Sequence, residues 1–204
     1  NAQAQLSSDF TVSGEYAVSQ FDRNRLSFLD DQDKNGSAFK FVGRYNPRHL
    51  TAWNANLGEL DVNISERFVD RRFVSPDRFN EVEFNRAWNL ESAAAANEEI
   101  REASIAYKPI SNLSIGGSYG FLDRQGQGQS TRLRSEVSLS ESSLPVLRYQ
   151  VEDIKSSNSI LSSRSSWTRQ RGDLEYIVAG VKPGIGLETE DRRTLPSNGG
   201  SLQQ

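Results

Sequence analysis

The chain has 204 residues, of which 35% are hydrophobic and 25% charged, and its formal net charge is -3. With 24 Lys+Arg against 27 Asp+Glu, no basic field exists to hold nucleic acid, and with no cysteine there can be neither disulfides nor thiolate metal sites. The apolar share is lean for a chain long enough to build a core, which suits strands that each bury one face.

Methionine is absent, and the opening "NAQAQ" reads as a mature end left by signal cleavage. From Phe10 the side chains alternate. Phe10, Val12, Gly14, Tyr16 and Val18 fall on one face, and Thr11, Ser13, Glu15 and Ala17 on the other, which predicts a strand. "LDDQDKNGSAF" follows. Asp31, Asp33, Asn35 and Gly36 stand at positions 1, 3, 5 and 6 of a calcium-loop pattern, but position 12 is Val42 where a bidentate Glu is needed. The helix–loop–helix version is therefore excluded. A looser hairpin loop with Asp31, Asp33 and Asn35 as calcium ligands competes with a plain turn. The turn is favoured, with Asn35-Gly36 as its positive-φ pair and no cofactor held. "AFKFVGRYN" resumes the alternation, placing Phe39, Phe41, Gly43 and Tyr45 together.

The stretch 65–88 mixes acids and arginines densely. It reads as an excursion held by its own ion pairs, or as a charged partner surface. "ESAAAANEEIRE", 91–102, predicts a short helix capped by Ser92. Strands resume with "LSIGGSYGF" (113–121), a Gly-rich hairpin loop at 124–130, "TRLRSEVSL" (131–139) and "LRYQVED" (147–153). "DLEYIVAGVKPGIGLETE" (173–190) predicts one more strand, bent or ended by Pro183. Residues 194–204 read as a flexible tail.

The pattern predicts an all-β domain over 1–193, an antiparallel up-and-down meander of roughly nine or ten strands. Its form is a barrel or a section of a larger barrel, with a soluble β-sandwich as the alternative. Tyr16, Phe41, Tyr119, Leu133 and Tyr149 should share one face, and Arg132, Arg134, Arg148 and Glu152 the other. No apolar run approaches the ~18 residues of a membrane-crossing helix, whereas strand runs of about 9–11 residues suit a membrane barrel.

"GEYAVSQFDRNRLSFLDDQDKNGSAFKF", followed by "RFNEVEFNRAWNL", resembles segments of large uncharacterised β-rich bacterial cell-envelope proteins of outer-membrane barrel type. The resemblance implies a cell-envelope location, a structural or transport-associated role, membrane lipid or other envelope proteins as partners, and no catalytic residues. Two other functions compete. One is a soluble extracellular β-sheet module that binds a partner protein or a glycan, with Trp53, Trp88 and Trp167 as its surface. The other is a carboxylate-dependent glycoside hydrolase, for which acids such as Glu81 and Glu83 are available. The three tryptophans are more often interior anchors than sugar platforms. His49, the one histidine, has no partner for a metal site.

Overall fold

The computed structural model describes residues 1–21, 35–47, 50–52, 55–75, 80, 83–90, 95–141, 144–176 and 181–196. Its elements in chain order are β1 (Ala2–Gln5), β2 (Phe10–Gln20), β3 (Asn35–Tyr45), β4 (Thr51–Ala52), β5 (Ala55–Asn56), β6 (Glu59–Val69), α1 (Phe84–Ala87), β7 (Glu98–Ile110), β8 (Leu113–Arg124), β9 (Gly128–Leu139), β10 (Val146–Asn158), β11 (Ser163–Glu175) and β12 (Gly184–Pro196). Ten strands form one antiparallel sheet in the order β1-β2-β3-β6-β7-β8-β9-β10-β11-β12, and β4-β5 form a separate small hairpin. Each strand of the sheet pairs with the next one along the chain, apart from the β4-β5 excursion, as short connections require. The expected meander is therefore present. Closure into a barrel is not present among the described residues: β1 and β12 are the edges of an open sheet. No helix among the described residues is long and apolar enough to cross a membrane, which leaves strands out of account.

Directly paired residues share a face, so the register assigns both faces. One register line runs Gly43–Ile64–Ala103–Tyr119–Leu133–Asp153–Thr168–Asp191. Tyr16, Phe41 and Tyr149 lie on this same face, and Arg132, Arg134, Arg148 and Glu152 on the opposite one, as the alternation predicts. The two faces differ in exposure. The first, which we call the apolar face, leaves large side chains open from end to end, from Tyr16 at 68% to Leu187 at 71%. The buried residues Ile100, Leu122, Ile154 and Trp167 belong to the polar face, and α1 packs there.

Four local expectations are corrected. Asn35 and Gly36 are not a hairpin tip: they pair with Gln20 and Ser19 inside the β2-β3 ladder, and the connection is 21–34. Neither has a positive φ. Gly36 is required for another reason, since a Cβ there would stand 2.2 Å from the backbone nitrogen of Phe73. The helix expected over 91–102 gives way to β7 from Glu98 onward. Alanine and glutamate favour a helix only weakly, and ladders to β6 and β8 on both sides outweigh that preference. The run 173–190 is two strands, not one. Pro183, unable to donate to a ladder, stands in the turn that brings Gly184 opposite Glu175. Finally, residues 194–196 of the expected tail complete β12 against Ser163–Ser165.

Candidate functional site

The most organised side chains of the molecule lie where the 83–90 segment meets the polar face. The segment begins with one helical turn, α1, and ends abruptly. Asn89 adopts φ 49°, the left-handed conformation that asparagine tolerates better than most residues. Its N–H donates to the Arg86 carbonyl at 3.1 Å, and the Leu90 N–H to the Asn85 carbonyl at 2.8 Å. This pair of bonds is the Schellman ending of a helix. It turns the Trp88 ring down onto the sheet.

The sheet is shaped to receive that ring. Gly120 lies beneath it, and a Cβ on Gly120 would come within 2.6 Å of the Trp88 ring. Ser130 is buried and donates its hydroxyl to the Trp88 carbonyl at 2.7 Å. Phe84, Trp88, Ile100 and Leu122 form one buried cluster, with Ala87 and Leu90 against it. Asn89 is buried too. Its Nδ2 donates to Ser156 Oγ at 3.1 Å and Ser165 Oγ at 2.8 Å, and its Oδ1 accepts from Arg192 at 2.8 Å. One residue thus ends the helix and ties it to β10, β11 and β12.

Arginines surround the aromatic anchors. Arg67 and Arg124 flank the Phe84 ring at 5.5 and 5.9 Å, and Arg132 covers Trp88 at 4.9 Å. Arg169 covers Trp167 at 4.3 Å, with Arg86 and Arg192 each at 5.7 Å. Carboxylates balance several of these charges. Glu98, 7% exposed, accepts from Arg67 and Arg124 at 3.0 Å each. Glu152 is buried against Arg169, and Glu102 accepts from Arg132 at 3.1 Å. Stacked guanidinium and buried carboxylate together let a polar sheet face carry an interior.

Toward the other strand ends the polar face is an open trough. Its floor is small: Ser104, Ala106, Gly116 and Ser118. Its sides are charged, with Arg44 paired to Asp61 on one flank and Arg134 to Glu136 on the other. Positive and negative groups alternate, so the trough has no single sign of charge.

The residues singled out from sequence divide as follows. Trp88 and Trp167 are 3% and 4% exposed. With arginines over their rings they are interior anchors and present no open stacking surface. Glu83 is exposed and pairs with Arg86 at 3.4 Å, away from the buried carboxylates. Asn35 opens β3. Trp53, Asp31, Asp33, Glu81 and His49 lie outside the described residues. Among the described residues no group of three or more His, Asp or Glu is arranged to hold a metal. Sequence reasoning missed Gly120, Ser130 and Asn89. Glycine inside a strand run is itself a sign of close backbone approach, and "SYGF" carries that sign at Gly120. No protein-family model, no curated protein and no solved structure matches this chain.

Proposed function

We propose that this chain forms a section of the wall of a membrane-spanning β-barrel, a non-enzymatic structural or transport-associated component. Its apolar face meets lipid, its polar face lines the interior, and the 83–90 segment lies inside as a plug. The cell-envelope location implied by the sequence resemblance belongs to the same proposal.

One observation carries it: the sheet is inside out for a protein in water. Its most buried ion pairs and its inserted segment lie on one face, while Tyr, Phe, Leu and Ile stand exposed along the other. Monomeric proteins in water rarely leave a contiguous apolar patch beyond about 300–600 Å². Here large exposed apolar side chains recur on one face from β2 to β12. Alternation of apolar-out and polar-in is what a barrel wall in lipid needs. The open edges β1 and β12 suit a section that further strands continue. They also favour a second reading, a sheet module that lays its apolar face on a partner protein.

Dilution from denaturant separates these. In phosphatidylcholine vesicles or detergent micelles the chain is expected to develop a β-sheet circular dichroism signal and float with the lipid. In buffer alone it is expected to aggregate. A monodisperse, β-rich monomer in buffer would refute the lipid-facing reading and favour the protein-binding module.

A further inference from the structure

The apolar face is not uniformly apolar, and the way its polar residues are distributed carries information. In β3 the apolar run begins at Phe39, and the register line through Phe39 continues Phe68–Glu99–Asp123–Gln129–Ser157–Arg164–Leu195. Beyond β6 this line is polar until Leu195, which stands alone. The apolar run begins later toward the far edge, though not evenly: at Ala103 in β7, Phe121 in β8, Leu133 in β9, Val151 in β10 and Leu187 in β12, counting from the same sheet end. The border therefore slips from 195 to 187, eight residues, across the seven strand-to-strand steps from β3 to β12.

All but one of the charged residues of this face obey the same border. Asp153 and Lys155 of β10 lie beyond it and pair at 3.2 Å. Asp191 and Arg193 of β12 lie beyond it and pair at 2.8 Å. Glu99 and Arg101 of β7 lie beyond it and pair with each other. Glu66 departs from it: it pairs with Phe41, inside the border, and accepts from Arg101 at 3.3 Å. On the other side of the border Glu66 is the one charged residue that the apolar face carries in the described strands.

The geometry points to a lipid bilayer that crosses this sheet obliquely, with its hydrocarbon edge running from Phe39 in β3 to Leu187 in β12. The inference rests on the lipid-facing reading above and adds the position and slope of the membrane. A slip of about one residue per strand, with about 3.3 Å per residue and about 4.8 Å between strands, is a tilt of roughly 40°. Strands of membrane barrels tilt by about 35–45°. The paired charges beyond the border then stand at headgroup level, where each is wet and matched. Phe41, Tyr119, Leu133, Tyr149 and Leu187 stand in hydrocarbon.

The absence of cysteine makes the test direct. Single variants Ile64→Cys, Tyr119→Cys, Leu133→Cys, Asp153→Cys and Asp191→Cys sample one register line. Ile115→Cys, Tyr149→Cys and Leu187→Cys sample a line two rows further from the border. Each is folded into phosphatidylcholine vesicles and exposed to a charged, membrane-impermeant maleimide. Thr168→Cys, also on the first line, substitutes for Asp153→Cys if that variant loses its sheet signal. Modification is expected at 153 and 191 and is expected to be lost at the other six positions, so that one register line changes from protected to reactive partway across the sheet. If the first line is uniformly protected or uniformly reactive while the second is protected, the oblique border is wrong and the lipid-facing reading survives. If all eight react, that reading fails and the inference falls with it.

Discussion

Gly120→Ala is expected to destabilise the folded chain by about 1–3 kcal/mol, the usual cost of forcing extra volume into a packed interior. An ordinary strand glycine replaced by alanine gains backbone stability, so the sign of the effect distinguishes this position. The cause is Trp88, whose ring would lie 2.6 Å from the new Cβ. That ring has nowhere to withdraw: Arg132 covers it, Ser130 holds its carbonyl, and the indole is buried. The check is a double-mutant cycle by urea titration in micelles. In a Trp88→Phe background the smaller ring vacates the contact, and Gly120→Ala should then cost at least 1 kcal/mol less, within the range of coupling for residues in contact. Equal costs in both backgrounds would show that Trp88 does not sit on Gly120.

Glu98→Ala is expected to cost about 3–5 kcal/mol, because it removes the carboxylate on which two largely buried guanidinium groups converge. Arg67 and Arg124 have side chains 23% and 15% exposed, and both converge on the two oxygens of Glu98 at 3.0 Å. Phe84 lies between these guanidinium groups, so loss of the carboxylate also loosens the inserted segment. Glu136→Ala is the control. Glu136 and Arg134 pair at the same 3.0 Å, but their side chains are 54% and 46% exposed. A pair so exposed is expected to contribute about 0–1 kcal/mol. Comparable losses for the two variants would mean that the cluster at Glu98 is no better shielded than the trough.

The two faces of the sheet were legible because a strand's side-chain period is set by the backbone. "FTVSGEYAV" and "TRLRSEVSL" can put their apolar residues on one side only, and no tertiary contact alters that. Local chemistry misled where long-range packing decided the outcome. Asn35-Gly36 has the composition of a two-residue turn, yet Gly36 is glycine because the backbone at Phe73 crosses against it. "AAAANEEIRE" has helix-forming composition, yet Ile100 is buried under Phe84 and Trp88, and Glu98 is fixed by arginines from β6 and β8. The inserted segment was hidden for a related reason. "FNRAWNL" has neither strand nor long-helix periodicity, and its position depends on pairs distant in sequence, such as Asn89 with Ser165 and Arg192.

The trough and the inserted segment share the polar face. Water-filled interiors of barrels are lined by the polar half of the alternation, and anything that blocks them must dock there. In the proposed barrel, segment 83–90 would do so through its aromatic anchors under arginine.

The central claim is that the apolar face of this sheet meets lipid. It is tested most directly by placing a nitroxide in turn at each residue from Arg132 to Leu139 of β9 in phosphatidylcholine vesicles. Collision with oxygen, which concentrates in hydrocarbon, is compared with collision with a water-soluble nickel chelate. The account predicts a period of two, with oxygen favoured at Leu133, Val137 and Leu139 and the chelate at Arg132, Arg134 and Glu136. Equal access to the chelate on both faces, or the opposite phase, would contradict it.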